Sequence, residues 1–307
     1  MPPPFSGRIV DRNGHQMTFK TIITHPGSAH KDDFLACCLA IAKSNGNAPI
    51  FRRDPMESDL EDTQCCLLDI GLKHEPAKLN FDHHQFDKDA APTCSLSLFL
   101  DHLNLYQDAL SFCEWLQPAE WFDSRGAIAT AKWLGVERKV LGQLNSPIDV
   151  TLLRRFAQAT ELQPQSPLYE IMRMIGDDLL DYLSGLKKRI AYIERHSEVW
   201  TVERADKSAF RALFMPRTNP LPEEPSAGLD RYARRLSEKG NVIGMVYPDR
   251  RGPGYGLSRF EDNPPLDFTQ IQAEPDVHFA HARGFVAKTS ATDPKRLKAL
   301  FAKALVS

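Results

Sequence analysis

The sequence predicts an α/β protein in two parts: a front domain on a mainly parallel sheet, and a smaller α+β domain behind it, joined by a helical linker. Three observations carry this. Apolar strands alternate with helical periods over residues 19–112, the pattern of a parallel sheet with covering helices. A long amphipathic period then runs through Ile171, Met174, Ile175, Leu179, Leu183, Leu186, Ile190 and Ile193, at steps of three or four. After His196 the composition changes to a proline-rich loop and short strands.

Each element has its own signal. "FKTIITH" (Phe19–His25) reads as a buried strand, "PGSAHKDD" as a tight loop, and "FLACCLAIAKSNG" as a helix closed by Asn45 and Gly46. "QCCLLDIG" (Gln64–Gly71) and "KLNFDHH" (Lys78–His84) read as two further strands. "TCSLSLFLDHL" and "LYQDALSFCEWL" look helical and lead into "WFDSRG" (Trp121–Gly126). Behind the long helix, "FMPRTNPLPEEPSAG" is a loop. "VIGMVYP", "GYGLSRF" and "VHFAHARGFVAK" look like strands, and "PKRLKALFAKALV" is a closing helix. The expected domains are 1–165, a connector at 166–196, and 197–307.

With 307 residues, 42% of them apolar, core size is not limiting for two domains. A net charge of −2 gives no strong field toward nucleic acid or a membrane. Residues 197–307 carry a slight basic excess and the rest a slight acidic one, too small to weigh alone. Cys37, Cys38, Cys65, Cys66, Cys94 and Cys113 form no CxxC and fit neither a zinc ribbon nor a disulfide framework. They read as reduced, buried thiols of a cytoplasmic protein. "MPPPFSGRIV" has no apolar stretch of a secretory signal, and no run approaches the ~18 apolar residues of a membrane span.

The chemistry gathers at strand ends. His25 follows the first strand, with His30, Asp32 and Asp33 in the same loop. Asp69 ends the second strand, and Asp82, His83 and His84 end the third. One such residue would be an ordinary polar strand end. Three strands delivering Asp or His to the carboxyl edge, where open α/β sheets bind ligands, point to a metal site. Imidazole and carboxylate without thiolate suit Mn²⁺, Mg²⁺ or Fe²⁺ better than structural zinc. Four carboxylates are enough for two divalent ions with one carboxylate bridging, which fits displacement at phosphorus.

Other motifs return less. No GxGxxG, GxxxxGK[ST] or GxSxG occurs. "RRGPGYG" (Arg250–Gly256) reads either as a glycine-rich phosphate loop or as a flexible hairpin. His15, His74, His102 and His196 read as surface or packing residues. Tryptophans and phenylalanines form no stacking platform visible in the sequence.

The order of motifs resembles the DHH phosphoesterase superfamily, named for the triplet seen here as Asp82-His83-His84. Within it the chain is most similar to the melanocyte proliferating gene (MYG) family of metal-dependent hydrolases. The resemblance rests on "THPGSAHKDD", "FRRDP", "LLDIGLKHEPAKLNFDHHQF" and "WFDSRG", and on "FAHARGF" late in the chain. It covers most of residues 20–130 and, more loosely, 245–290.

The resemblance implies His25, His30, Asp32, Asp69, His83 and Asp123 as metal ligands, with Asp69 bridging. It implies His84 as the catalytic group facing the scissile phosphate, and Asp82 and Asp33 as partners of the ligands. Arg125, His281, Arg283 and Gly284 fall in segments on the substrate side. Arg125 stands as an extra residue inside the family's aspartate motif and reads equally as a substrate contact or a helix-end charge. His281 reads as one histidine in an apolar strand, for substrate contact or for packing. Asp33 replaces the family's usual Glu, and Gly71-Leu72 its double glycine.

The implied activity is a phosphoesterase working through a water activated by two ions, Mn²⁺ first and Mg²⁺ second. The implied substrate is single-stranded RNA or short oligonucleotides, attacked as a 3′–5′ exonuclease. The alternatives are a small-molecule phosphoester or pyrophosphate hydrolase, and a metal-dependent binding protein on a hydrolase scaffold.

Overall fold

Parallel strands covered on both faces read as unbroken apolar runs, and the front of this chain is built on two such runs. A computed structural model describes residues 19–306 apart from positions 45, 144, 204–208, 238–241, 262 and 264, so His15 and Asn45 lie outside the described residues. The chain divides into two units, Met1–Ser184 and Gly185–Ser307. The division falls inside one helix, Pro167–His196.

In the first unit the strands are β1 (Thr21–Thr24), β2 (Ile50–Arg52), β3 (Cys65–Leu68), β4 (His74–Glu75), β5 (Asn80–Phe81) and β6 (Glu161–Leu162). Their order across the sheet is β4-β5-β3-β1-β2-β6. The central pairs β5–β3, β3–β1 and β1–β2 are parallel; the edge strands β4 and β6 pair antiparallel. The mainly parallel fold class is therefore the one observed.

The helices are α1 (Lys31–Lys43), α2 (Glu57–Glu61), α3 (Ser95–His102), α4 (Tyr106–Phe112), α5 (Leu116–Leu134), α6 (Arg138–Gln143), α7 (Pro147–Gln158) and α8 (Pro167–His196). Ile22, Ile23, Leu39, Ile41, Ile50, Leu67, Phe81 and Phe99 are completely buried. Each such side chain contributes about 1.5–3 kcal/mol of transfer free energy. All six cysteines are buried thiols in this unit.

Two local readings need correction. The "KDD" of the expected loop is the first turn of α1, because Asp33 Oδ1 accepts from the His30 amide at 2.7 Å and closes the helix start. The third strand shrinks to Asn80–Phe81, because a 3₁₀ turn takes Pro76–Lys78 and Leu79 is left-handed. A third feature was not foreseen. At Gly126, φ +76° and ψ 170° break α5, and the Trp121 and Trp133 rings stack at 5.0 Å. A straight helix would separate residues twelve apart by about 18 Å, so the two segments fold back on one another.

The second unit holds β7 (Glu198–Glu203), β8 (Ala209–Phe214), α9 (Leu229–Ser237), β9 (Val242–Pro248), β10 (Tyr255–Arg259), β11 (Val277–Ala280), β12 (Val286–Thr289) and α10 (Pro294–Lys303). The sheet runs β11-β12-β10-β9-β8-β7, with only β8–β9 parallel. Trp200, Phe214, Val246, Leu257, Phe268, Leu297 and Phe301 share one buried cluster. The expected strand through His281 is a hairpin instead. His281–Phe285 form its turn, in which the Arg283 amide donates to His281 Nδ1 and the Gly284 amide to the His281 carbonyl.

Candidate metal centre

Strand register assembles the centre. Thr24 aligns with Leu68, and Leu68 with Phe81. The residues that follow, His25, Asp69 and Asp82, therefore leave the sheet side by side at one carboxyl edge, on strands about 4.8 Å apart. The start of α1 brings His30 and Asp32 to the same edge, and the first segment of α5 adds Asp123. Asp69 adopts φ +59°, a left-handed conformation rare outside glycine and tolerated best by Asn and Asp.

One ligand atom each from Asp32, Asp69, His83 and Asp123 lie within 4.8 Å of one another. His83 Nε2 sits 2.8 Å from Asp123 Oδ2 and 3.2 Å from Asp69 Oδ1. His25 Nε2 lies 3.1 Å from Asp33 Oδ2 and 3.5 Å from Asp69 Oδ2. His30 Nδ1 lies 3.3 Å from Asp123 Oδ1.

These atoms are close but not bonded to each other. Both Asp32 carboxylate oxygens, Asp69 Oδ1, His83 Nε2, Asp123 Oδ2 and His25 Nε2 are buried without a hydrogen-bond partner of good geometry. Buried polar atoms are nearly always satisfied, so a group of orphans aimed at one space calls for a bound cation. The donor set of carboxylate and imidazole fits a divalent ion of the Mn²⁺ or Mg²⁺ kind.

The electrostatics agree. Burial, then the nearby Asp69 and Asp123 carboxylates, push the Asp32 carboxyl well above its usual range. Burial would lower the His83 imidazole, but Asp123 and Asp69 outweigh it and raise it to about 10. The Asp33 carboxylate raises His25, and Asp123 raises His30. Without a cation, protonated imidazoles neutralise the carboxylates.

Asp82 has a different task. Its Oδ2 accepts from the Leu72 amide at 2.7 Å, and its Oδ1 from the His84 amide at 3.0 Å and His84 Nδ1 at 2.7 Å. Burial alone would raise this carboxyl; these donors hold it below the usual carboxylate value. Fully engaged, Asp82 orients His84, whose side chain is 54% exposed. Asp33 caps α1 with one oxygen and faces His25 with the other.

The remaining expected residues are placed as follows. Arg125 donates to the carbonyls of Lys88 and Ala90, so it ties down the segment after the DHH triplet. With His83, His84, Phe86, Asp123 and Ser124 it lines a pocket of about 180 Å³. His281, Arg283 and Gly284 sit in the β11–β12 turn of the second unit. Gly284 has φ +67°, and a Cβ there would fall 2.0 Å from Asp267 Oδ1.

Sequence reasoning assigned no role to Arg52. Its side chain is 1% exposed and lies 3.7 Å from Asp33 Oδ2. Its guanidinium donates to the carbonyls of Gly27 at 3.1 Å, Ser28 at 2.9 Å and Phe156 at 2.8 Å. It thereby holds the loop between His25 and His30. The signal in the sequence was its place in "FRRDP", one of the stretches that carry the resemblance, where a charged residue ends a short apolar run.

Among solved structures, the chain is similar to a DHH domain described as a member of a family of ribosomal proteins. That match has 14% identity over 93% of this chain and 86% of that one, with a TM-score of 0.32. It is also similar to RecJ from Thermus thermophilus in complex with Mn²⁺, at 14% identity over 93% and 51% of the two chains, TM-score 0.29. RecJ from the same organism in complex with Mg²⁺ gives 13% identity over 93% and 49%, TM-score 0.28. The chain spans about half the length of the RecJ chains, and similarities this low establish nothing about activity. No curated protein matches the chain. Residues 21–97, which run from β1 through the DHH triplet into α3, match the family model MYG1_exonuc, an uncharacterised protein family (UPF0160). That segment is similar to this family; the match covers residues 21–97 and not the rest of the chain.

Proposed function

We propose that the chain is a divalent-metal-dependent phosphoesterase, and more specifically a 3′–5′ exonuclease on RNA or short oligonucleotides. The observation that carries the reading is the ring of buried, unpartnered carboxylate and imidazole atoms beside an exposed, oriented His84. Asp32, Asp69, His83 and Asp123 would hold the first ion, and His25 and His30 adjoin them for a second. Divalent ions held by these residues would supply an activated water and offset charge at phosphorus. Mn²⁺ is the preferred ion because the donors mix imidazole with carboxylate.

His84 works from outside this ring. With Nδ1–H given to Asp82, Nε2 is the nitrogen left to hold or release a proton at the leaving oxygen. Arg125 fixes the Lys88–Ala90 backbone that walls the pocket. At about 180 Å³ the pocket is below the ~300–1,000 Å³ of drug-sized ligand sites, which favours a terminal phosphodiester over a length of strand. The near-neutral charge supports short substrates in the same way. Six buried thiols support a cytoplasmic setting, and among the described residues no helix is long and apolar enough to cross a membrane.

The experiment is a turnover screen with Mn²⁺ over pyrophosphate, dinucleotides, and single-stranded RNA and DNA. Release of mononucleotides from RNA 3′ ends is the expected result. Turnover of pyrophosphate alone would replace the nuclease reading with a small-molecule one. Metal binding without any turnover would make the chain a binding protein.

A further inference from the structure

Two cavities adjoin in the second unit where β9 turns into β10. One, of about 380 Å³, has Phe279, His278 and Pro253 in its wall. The other, of about 330 Å³, has Tyr247, Pro248 and Pro225. Asp249, Arg251 and Lys288 line both, so a charged strip separates two slots with partly apolar walls.

The turn between the strands is not a loose hairpin. The Arg217 guanidinium donates to the carbonyls of Asp249 at 2.9 Å, Gly252 at 2.6 Å and Gly254 at 3.1 Å. Three carbonyls gathered on one cation set the loop's shape before any ligand arrives. The charges are also accounted for. Glu224 takes up Arg250. Asp249 is 8% exposed, and its Oδ1 accepts from Lys288 Nζ at 2.9 Å and the Arg251 amide at 3.1 Å. Lys288 keeps further N–H donors, and the Arg251 side chain stands in solvent.

Phe279 is the second clue. The residue is 44% exposed and lines the larger cavity, so an aromatic side chain is open to a ligand there. A bulge in the β11–β12 pairing lies between Val277 and Phe279. Consecutive strand residues normally point to opposite faces, but here His278 and Phe279 both line the same cavity.

We propose that this end of the second unit binds two successive nucleotides of a single strand. One base lies against Phe279, its neighbour sits in the Tyr247 slot, and the internucleotide phosphate rests between them on Arg251 and Lys288. An aromatic face takes any base, and cations beside it track the backbone. A free mononucleotide offers the same chemistry but fills one slot only. The ligand class rests on the phosphoesterase reading; the binding itself needs no metal.

The test is calorimetric binding of the dinucleotide ApA and of AMP to the full chain in EDTA. Metal removal stops turnover and leaves the acidic strand edge repelling phosphate. ApA is expected to bind at least ~10-fold tighter than AMP. Phe279→Ala and Arg251→Ala should each weaken ApA ~10-fold, and Phe279→Tyr should restore it. ApA no tighter than AMP, or binding indifferent to both alanine variants, overturns the proposal. A failed turnover screen leaves this result standing, and failed binding in an active enzyme leaves the phosphoesterase reading standing.

Discussion

Two clusters of charged side chains, one in each unit, share acidic residues and treat them in opposite ways. In the second unit Arg296 donates to Asp276 at 2.6 and 2.8 Å and to Glu274 at 2.6 Å, while Lys303 also meets Glu274. Each acid has a cation, and each carboxyl is held low by it: Glu274 by Lys303 and then Arg296, Asp276 by Arg296. At the strand edge of the first unit, Asp32, Asp69 and Asp123 crowd together, each almost buried. There burial and like charge raise Asp32 instead. Acids that bring their own cations form a solvated face. In the buried cluster burial would raise Asp123, but His30 and His83 hold it below its usual range. Both Asp32 oxygens are left without a partner, and it is there that a cation from outside is called for.

Substitutions sharpen this contrast, and the largest effect belongs to Asp69. Asp69→Asn should lose Mn²⁺ affinity by more than the roughly 10–100-fold that a mere orienting partner is worth. Undiminished metal loading, measured by elemental analysis after dialysis, would remove Asp69 from the centre. His84→Ala comes next: it should keep its metal while turnover falls ~10²–10⁴-fold, whereas His83→Ala loses both. Equal metal loss in the two histidine variants would refute their separate roles.

Arg52→Met strips the buried hydrogen bonds from the His25–His30 loop and leaves Asp33 short of a cation. A loss of about 3–5 kcal/mol in denaturant unfolding is expected. A value below about 1 kcal/mol would show that the loop holds itself. Asp276→Asn is the counterpart in the second unit. Its pair with Arg296 is partly exposed, so the change should cost under about 1 kcal/mol and leave metal content untouched. A large loss of stability there would erase the distinction between the two clusters.

Much of the strand edge was legible in the sequence. The runs ending at Thr24, Leu68 and Phe81 are apolar because both sheet faces are covered, and the polar residues after them stand out. The short strands β2, β4 and β6 were not legible, since two or three residues carry no measurable period. Nor were β7 and β8, although "EVWTVE" buries Trp200 and Val202 in alternation. Asp123 could be matched to a motif but not placed, because the helix carrying it folds back at Gly126, a tertiary feature. His281 looked like a strand residue because "FAHARGF" is apolar on both sides. The turn depends on Gly284, whose left-handed backbone a sequence does not display. Arg52 was illegible because burial of an arginine is decided by carbonyls distant in sequence, such as that of Phe156.

Whether the strand edge of the first unit is built for divalent metal is decided by calorimetric titration of the metal-free chain with Mn²⁺ near pH 8. The Asp123 and Asp69 carboxylates raise the His83 imidazole from 6.5 to about 10, so it still carries its proton there, and a metal ion must displace it. Saturable binding of close to two ions per chain is expected, with proton release seen as a heat that changes with the buffer's ionisation enthalpy. Titration without saturable binding, or binding whose heat is the same in every buffer, would contradict it.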